Sequence, residues 1–318
     1  MNILVTGGCG FIGSHFIEEI IKREDITKIY NVDAGTYAAN KNLPFETNQK
    51  YQRLIMDIAA PYFPDHKKYF DSLNLDYVIH FAAESHVDNS IKGPKKFIET
   101  NICGTFNLLE IFKDIKIKKF IHVSTDEVFG SLNHKEGLFD IDSPYRPNSP
   151  YAASKAASDL LVRSYVKTYQ FPGIITNCSN NFGPRQFPEK LIPVCINKLK
   201  NKEKIPLYGN GENIRDWIYV KDHVNALINV LLDGNIGKQY LIGGNNEVSN
   251  IQLIHLIIAT YELITNKKVD WEWFEYVTDR KGHDFKYAID TKDFEMEFPN
   301  FKLSEFNKSL METINSYL

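Results

Sequence analysis

Tyr151 and Lys155 stand four residues apart in Tyr151-Ala152-Ala153-Ser154-Lys155, directly after Pro150. On a helix that spacing puts both side chains on one face. A phenol held beside an ammonium can release its proton nearer neutrality, so the pair could act as a base on an alcohol. A second pair, Asp126-Glu127, lies in Ser124-Thr125-Asp126-Glu127-Val128-Phe129-Gly130. Adjacent carboxyls push one pKa upward, leaving one neutral acid beside one carboxylate. Elimination of water needs that combination: one group takes a proton from carbon, the other gives one to the departing oxygen. Either pair alone has a bland reading, as a surface helix or as two solvated acids.

A third pattern supplies context. Thr6-Gly7-Gly8-Cys9-Gly10-Phe11-Ile12-Gly13 follows an apolar run and opens a helical one, with the form GxxGxxG. The first glycine permits a tight turn, the second lets backbone approach a pyrophosphate, and the third lets helix pack against strand. A glycine triplet alone is weak, but the strand-before, helix-after setting is what a dinucleotide site requires. Asp33, ending the next strand, would accept hydrogen bonds from a ribose diol and repel a 2′-phosphate, favouring NAD(H) over NADP(H). Asp57 is placed equally well to meet the adenine amino group or simply to form a turn. A positive nicotinamide would then join Lys155 in lowering the pKa of Tyr151.

Alternating elements must position these groups. Asn2–Thr6, Lys28–Asp33, Tyr51–Met56, Tyr77–Phe81 and Phe120–Ser124 read as strands; Phe11–Arg23, about Asp65–Leu73 and Pro94–Phe112 read as helices. That rhythm predicts an α/β, doubly wound parallel sheet with right-handed crossovers and helices on both faces. Asp126 and Glu127 then fall at the C-terminal end of a parallel strand, where such sheets bind ligands. Beyond Phe171, Pro172, Pro184, Pro188, Pro193 and Pro206 and the Gly209-Asn210-Gly211 turn break the rhythm. The expected organisation is a dinucleotide-binding domain over 1–172, rejoined by about 213–237, and a smaller substrate domain over 173–318.

The bulk numbers fit this and exclude other classes. With 318 residues, 43% hydrophobic and 24% charged, the chain is of ordinary globular composition. A net charge of −3 gives no reason to expect nucleic acid or an anionic membrane as partner. The chain opens on a strand-like run, so no secretory leader is expected, and no apolar run is long enough to span a bilayer. Cys9, Cys103, Cys178 and Cys195 show no paired spacing and the nine histidines no metal-ligand spacing, so no metal and a reducing, cytoplasmic setting are expected.

Glycine loop, Ser124-Thr125 and YxxxK together resemble the extended short-chain dehydrogenase/reductase superfamily across essentially the whole chain. Ser124 through Gly130 is similar to the STDEVYG motif of the dTDP-glucose 4,6-dehydratases, with Phe129 in place of the usual tyrosine. Further matches run in order: Thr36-Tyr37-Ala38-Ala39-Asn40, His80 through Asp88, Asn177 through Pro184, Phe187 through Pro193, Arg215-Asp216-Trp217 and Gly282-His283-Asp284.

The resemblance implies a redox-neutral lyase carrying NAD and acting on a nucleoside-diphosphate-glucose, dTDP- or UDP-linked. Its cofactor contacts map to Gly7, Gly10, Phe11, Ile12, Gly13, Asp33, Ala34, Gly35, Thr36, Asp57, Ile58, Phe81, Ala82, Ala83, Ser85, Thr100, Ser124, Tyr151, Lys155 and Asn181. Thr125 and Tyr151 would hold the glucose 4-hydroxyl, with Tyr151 taking its proton. Glu127 would abstract the C5 proton, and protonated Asp126 would serve the departing 6-hydroxyl. Substrate contacts map to Ser85, Thr125, Asn180, Lys190, Leu191, Pro206, Tyr208, Arg215, Asn250, Arg280 and His283, with Arg215 suited to a diphosphate. His80 and His122 read as core residues. The resemblance also implies a homodimer joined through a four-helix bundle built from about Pro94–Phe112 and Pro150–Tyr169, with Phe97, Leu108, Leu160, Leu161 and Tyr165 serving that surface or the core.

Departures exist too. The stretch from Gly130 to Pro150 is shorter than in typical bacterial members, which predicts a differently placed loop, and Lys281 stands where proline is usual. Competing readings are a nucleotide-sugar 4-epimerase or UDP-glucuronate decarboxylase, neither of which has a task for the full Asp126-Glu127 pair. A silent dinucleotide-binding protein would keep only the glycine loop.

Overall fold

The apolar runs of the first half form β1 (Asn2–Thr6), β2 (Lys28–Asp33), β3 (Tyr51–Ile55), β4 (Tyr77–His80) and β5 (Lys119–Thr125), each within one residue of its expected bounds. The computed structural model describes residues 1–133, 137–279 and 282–318. Between these strands lie α1 (Phe11–Ile20), α2 (Lys67–Ser72), α3 (Val87–Lys92), α4 (Pro94–Phe97) and α5 (Gly104–Phe112). The helix expected over Pro94–Phe112 is not uniform: Ile98–Cys103 winds as a π-helix between α4 and α5. Next come α6 (Pro150–Tyr169), β6 (Gly173–Cys178), β7 (Asn180–Phe182), α7 (Leu191–Lys200), β8 (Ile205–Tyr208), β9 (Ile214–Tyr219), α8 (Val220–Asp233) and β10 (Gln239–Ile242). The chain finishes with β11 (Glu247–Ser249), α9 (Asn250–Thr265), β12 (Phe274–Val277), α10 (Lys292–Glu297) and α11 (Phe306–Tyr317).

Seven strands form one sheet in the order β10-β6-β5-β4-β1-β2-β3, with every neighbouring pair parallel. Alternation along β1 feeds two cores. Ile3 and Val5 pack with Phe16, Ile17 and Ile20 of α1 and Leu227 and Leu231 of α8. Leu4 packs on the other face with Phe70, Leu108, Phe112 and Val162. Chain order reverses between β1 and β4, so the crevice at their C-terminal ends is the topological switch point.

The sheet does not stop at residue 172, where the sequence reading ended the first domain. β6 and β10 extend it beyond β5. The Pro172-Gly173 break is only the turn joining α6 to β6, entered through Gln170 at φ +54°. Of the stretch expected to return, α8 packs beside α1 in the first core, whereas β9 sits in a separate three-stranded sheet with β11 and β7. A third core gathers Ile192 and Ile196 of α7, Leu253 and Ile257 of α9 and Leu310 and Ile314 of α11. β8 and β12 form a parallel pair at its edge. Among the described residues, no helix is long and apolar enough to cross a membrane.

Candidate active site

β5 ends at Thr125 and turns at once into a 3₁₀ turn over Asp126–Phe129. Thr125 Oγ1 accepts the Glu127 N–H at 3.3 Å and donates to Asp126 Oδ1 at 3.3 Å. Gly130 closes the turn at φ +88°, where a Cβ would lie 2.3 Å from the Arg146 carbonyl oxygen, so only glycine fits. Asp126 is 1% exposed, and its Oδ2 has no hydrogen-bond partner among the described residues. Burial first, then Glu127 and Asp216, push this carboxyl well above the usual range, against a smaller opposing effect of Arg215. Glu127 is half-buried and lines the same cleft. A neutral acid thus sits beside a second carboxyl group.

Facing this turn is α6. Ser149 caps it by accepting the Ala152 N–H at 3.1 Å, and Pro150 occupies the first turn, where no N–H is missed. Tyr151 and Lys155 are both buried, and Lys155 Nζ donates to the Val123 carbonyl at 2.9 Å, tying the helix to β5. The expected lowering of the Tyr151 pKa is not a property of the protein by itself. Burial and then Glu127 push the phenol well above its ordinary value, with hydrogen bonding to Thr125 pulling the other way. Burial also lowers Lys155. A further positive charge in the cleft, as a nicotinamide would carry, is what would bring the phenol down.

One cleft of about 340 Å³ runs from the glycine loop to these groups. It is lined by Gly7, Gly10, Phe11, Ile12, Gly13, Asp33, Ala34, Thr36, Asp57, Ile58, Phe81, Ala82, Ala83, Ser85, Thr100, Ser124 and Asn181, as well as by Thr125, Asp126, Glu127, Tyr151 and Lys155. Of the expected cofactor set, Gly35 alone is outside the lining. Its N–H instead donates to Asp33 Oδ1 at 2.8 Å, while Oδ2 accepts the Cys9 N–H at 2.8 Å, so Asp33 locks the glycine loop. Asp57 lines the cleft and also forms the turn, accepting the Ala59 N–H at 2.9 Å.

The loop fits a dinucleotide. Gly7 sits at φ +73° with a would-be Cβ 2.6 Å from the Ala82 nitrogen, and at Gly13 a Cβ would lie 2.5 Å from the Gly7 oxygen. At Gly10 a Cβ would meet only that oxygen, at 3.2 Å, and would otherwise take up cleft space. Gly7→Ala is therefore expected to lower stability by about 1–3 kcal/mol through backbone strain and to leave the purified protein without bound NAD. Thermal melting and ultraviolet assay of released nucleotide check both.

The expected substrate residues divide. Ser85, Asn180 and Lys190 line the cleft, and Lys190 Nζ bonds the Ser85 carbonyl at 2.9 Å. Leu191, Pro206, Tyr208, Arg215, Asn250 and His283 do not line it. Arg215 is 4% exposed, stacked 4.2 Å over the Tyr287 ring, and donates to the carbonyls of Ile214, Asp284 and Phe285. Much of its fork thus holds backbone in place, a use that residue type and motif do not reveal. Asn250 opens α9, with its N–H on the Asn213 carbonyl, and His283 Nδ1 lies 2.6 Å from Asp279 Oδ1. Arg280 and Lys281 lie outside the described residues, as does part of the short loop after Gly130.

Sequence reasoning missed other residues of this site. Cys178 lines the cleft with Thr125, Asp126 and Tyr151, its thiol pushed up to about 12 by burial. Behind the cleft and not lining it, Asp159 stands a further turn along the Tyr151–Lys155 stripe, almost wholly buried. Its spacing from Lys155 was the available signal.

Comparison with known proteins agrees with the geometry. A family model described as GDP-mannose 4,6 dehydratase matches residues 4–302. A dTDP-glucose 4,6-dehydratase of Escherichia coli is 44% identical over 347 residues, covering 100% of this chain and 94% of that protein. Among solved structures, the dTDP-glucose 4,6-dehydratase DesIV of Streptomyces venezuelae, with NAD bound, superposes with a TM-score of 0.93 at 39% identity, covering 100% of this chain and 97% of that one. The UDP-glucuronic acid 4-epimerase of Bacillus cereus reaches 0.88 at only 26% identity, covering 100% and 99%, so architecture alone does not separate the two chemistries. Match length, identity and site geometry converge: the chain belongs to the dTDP-glucose 4,6-dehydratase family.

Proposed function

We propose that the protein is an NAD-dependent dTDP-glucose 4,6-dehydratase, forming the 4-keto-6-deoxy sugar nucleotide and water. The observation that carries this reading is the buried Oδ2 of Asp126, without a hydrogen-bond partner among the described residues, beside Glu127 at the end of the strand facing Tyr151. A 4-epimerase has no use for a neutral acid held there at the cost of desolvation. Bound NAD⁺ would supply reversible oxidation, first at C4 and in reverse at C6. Thr125 and Tyr151 orient the 4-hydroxyl, and Tyr151, supported by Lys155, takes its proton. Once C4 is a ketone the C5 proton is acidified, and Glu127 removes it. Asp126 donates its proton to the 6-hydroxyl as the C6–O bond breaks, and Glu127 returns a proton to C5. The glycine loop, Asp33 and Asn181 hold the dinucleotide; Asn180 and Lys190 reach the sugar diphosphate.

The same reading divides the chain into a dinucleotide part built on the seven-stranded sheet and a nucleotide-sugar part built on the third core, of α7, α9 and α11. It also makes the protein a homodimer through the stretch Pro94–Phe112 and α6, in a four-helix bundle. Phe97, Leu108 and Tyr165 are used in the core, whereas Leu160, Phe106 and Ile98 are 53%, 44% and 51% exposed and are free for such a surface. Thymine and uracil differ by a methyl group, worth about 1–3 kcal/mol of discrimination, so UDP-glucose is a second substrate at lower kcat/KM.

Incubation with dTDP-glucose and, separately, UDP-glucose, followed by mass spectrometry for loss of one water, tests the assignment. Interconversion of UDP-glucose and UDP-galactose without loss of water would replace it with the epimerase.

A further inference from the structure

Tyr151, Lys155 and Asp159 form a stripe at successive four-residue steps on α6, all turned to β5. Asp159 is 1% exposed. Its Oδ2 accepts from Ser124 Oγ at 2.9 Å, Tyr145 OH at 3.0 Å and Asn177 Nδ2 at 3.1 Å. Gln239 Nε2 holds both Tyr145 OH and Asn177 Oδ1, at 3.0 and 2.8 Å. His122 Nε2 lies 3.1 Å from Oδ1, close but off the line of a hydrogen bond. One oxygen held by three donors and the other without a hydrogen bond among the described residues, deep in the sheet and lining neither cleft nor surface, ask for a reason.

Resting on the reading of Tyr151 and Lys155 as the proton-accepting pair, we propose that Asp159 is a positioning residue. Its buried carboxylate is the counter-charge that keeps Lys155 an ammonium and so sets the pH at which Tyr151 acts.

The surrounding groups leave that task to Asp159. Burial drives the Lys155 ammonium toward its neutral form, and Asp159 heads the opposing influences, followed by Cys178. Cys178, held up near 12, is a neutral thiol at physiological pH. His122 is held down to about 4 by burial and Lys155, and His80, 5.2 Å away ring to ring, is also lowered. Both are neutral and cannot balance a cation. On the cleft side, Glu127 and Asp126 face Tyr151 and raise it. Asp159 therefore works from behind, where substrate and cofactor do not reach.

Asp159→Asn keeps shape and removes one negative charge. Loss of a nearby anion favours the deprotonated form of each neighbouring group, so the titration steps of both Lys155 and Tyr151 move down. The expected result is a kcat-versus-pH curve for dTDP-glucose displaced about one unit or more to lower pH on both limbs. The phenolate absorbance of the holoenzyme, measured as a difference from the Tyr151→Phe protein, should appear at correspondingly lower pH. This second measurement needs no turnover. If the parent protein fails to dehydrate the sugar, the functional reading falls while the titration still reports on Asp159. Asp159→Ser, neutral and smaller, is the second variant and should shift the curves the same way. Equal loss of kcat at every pH with an unmoved phenolate titration, or failure of both variants to fold, would make Asp159 a structural residue and overturn the proposal.

Discussion

Glu127→Gln is expected to lower kcat on dTDP-glucose by about 10²–10⁴-fold, the range for losing a positioned base, with substrate affinity changed only a few-fold. Glu127 lines the cleft just past the end of β5, and in the proposed mechanism the first proton goes to Tyr151 rather than to Glu127. The variant should therefore still oxidise C4, and its arrested product should be two hydrogens lighter than substrate rather than one water lighter. Deuterium uptake at C5 from heavy water should vanish with it. Because Glu127 also raises Tyr151, its neutralisation should ease deprotonation of the phenol. Quenched-flow mass spectrometry reads all of this. Retained exchange at C5 would move the base elsewhere.

Asp126→Asn should lower kcat by about 10²–10³-fold, and it should also raise the melting temperature at neutral pH. The unfolded chain releases this proton near pH 3.9, whereas the folded chain holds it to a much higher pH. Between those values the folded state binds more protons than the unfolded one, so stability falls as pH rises through that window. Asparagine removes the titration and with it the loss. The gain over the parent should be clear at pH 8 and should close below about pH 4, where both states are protonated. Melting curves at the two pH values decide it. A destabilised variant at pH 8 would mean that the carboxyl is ionised and held by its surroundings.

Most of the local chemistry was legible in the chain. Strand positions followed from runs of Ile, Val and Leu, the glycine loop from its spacing, and the acid pair from its place at the end of an apolar run. What escaped was long-range. Whether Gly173–Cys178 joins the first sheet is decided by which edge of β5 is open, and no local pattern carries that. The π-helical stretch at Ile98–Cys103 looks in sequence like ordinary helix. Arg215 has the right chemistry for a phosphate, yet its fork is committed largely to carbonyls brought near by a segment some seventy residues later. The phenol of Tyr151 stands well above its ordinary value in the protein by itself, raised by burial and then Glu127, because the positive nicotinamide expected to act with Lys155 is no part of the chain.

The order of strands has a consequence for the chain as it is made. β5 needs β4 on one side and β6 on the other, but β6 is complete only at Cys178. At about 5–20 residues per second, several seconds pass after Thr125 during which the β6-facing edge of β5 has no partner. Its centre, Phe120-Ile121-His122-Val123, is apolar but for His122 and free of proline and glycine, the composition that pairs readily with a neighbouring nascent chain. Lys118 and Lys119 at its entrance are the charges that discourage this. On crowded polysomes, replacing those two lysines would cost yield of native enzyme well before it cost stability of the finished fold.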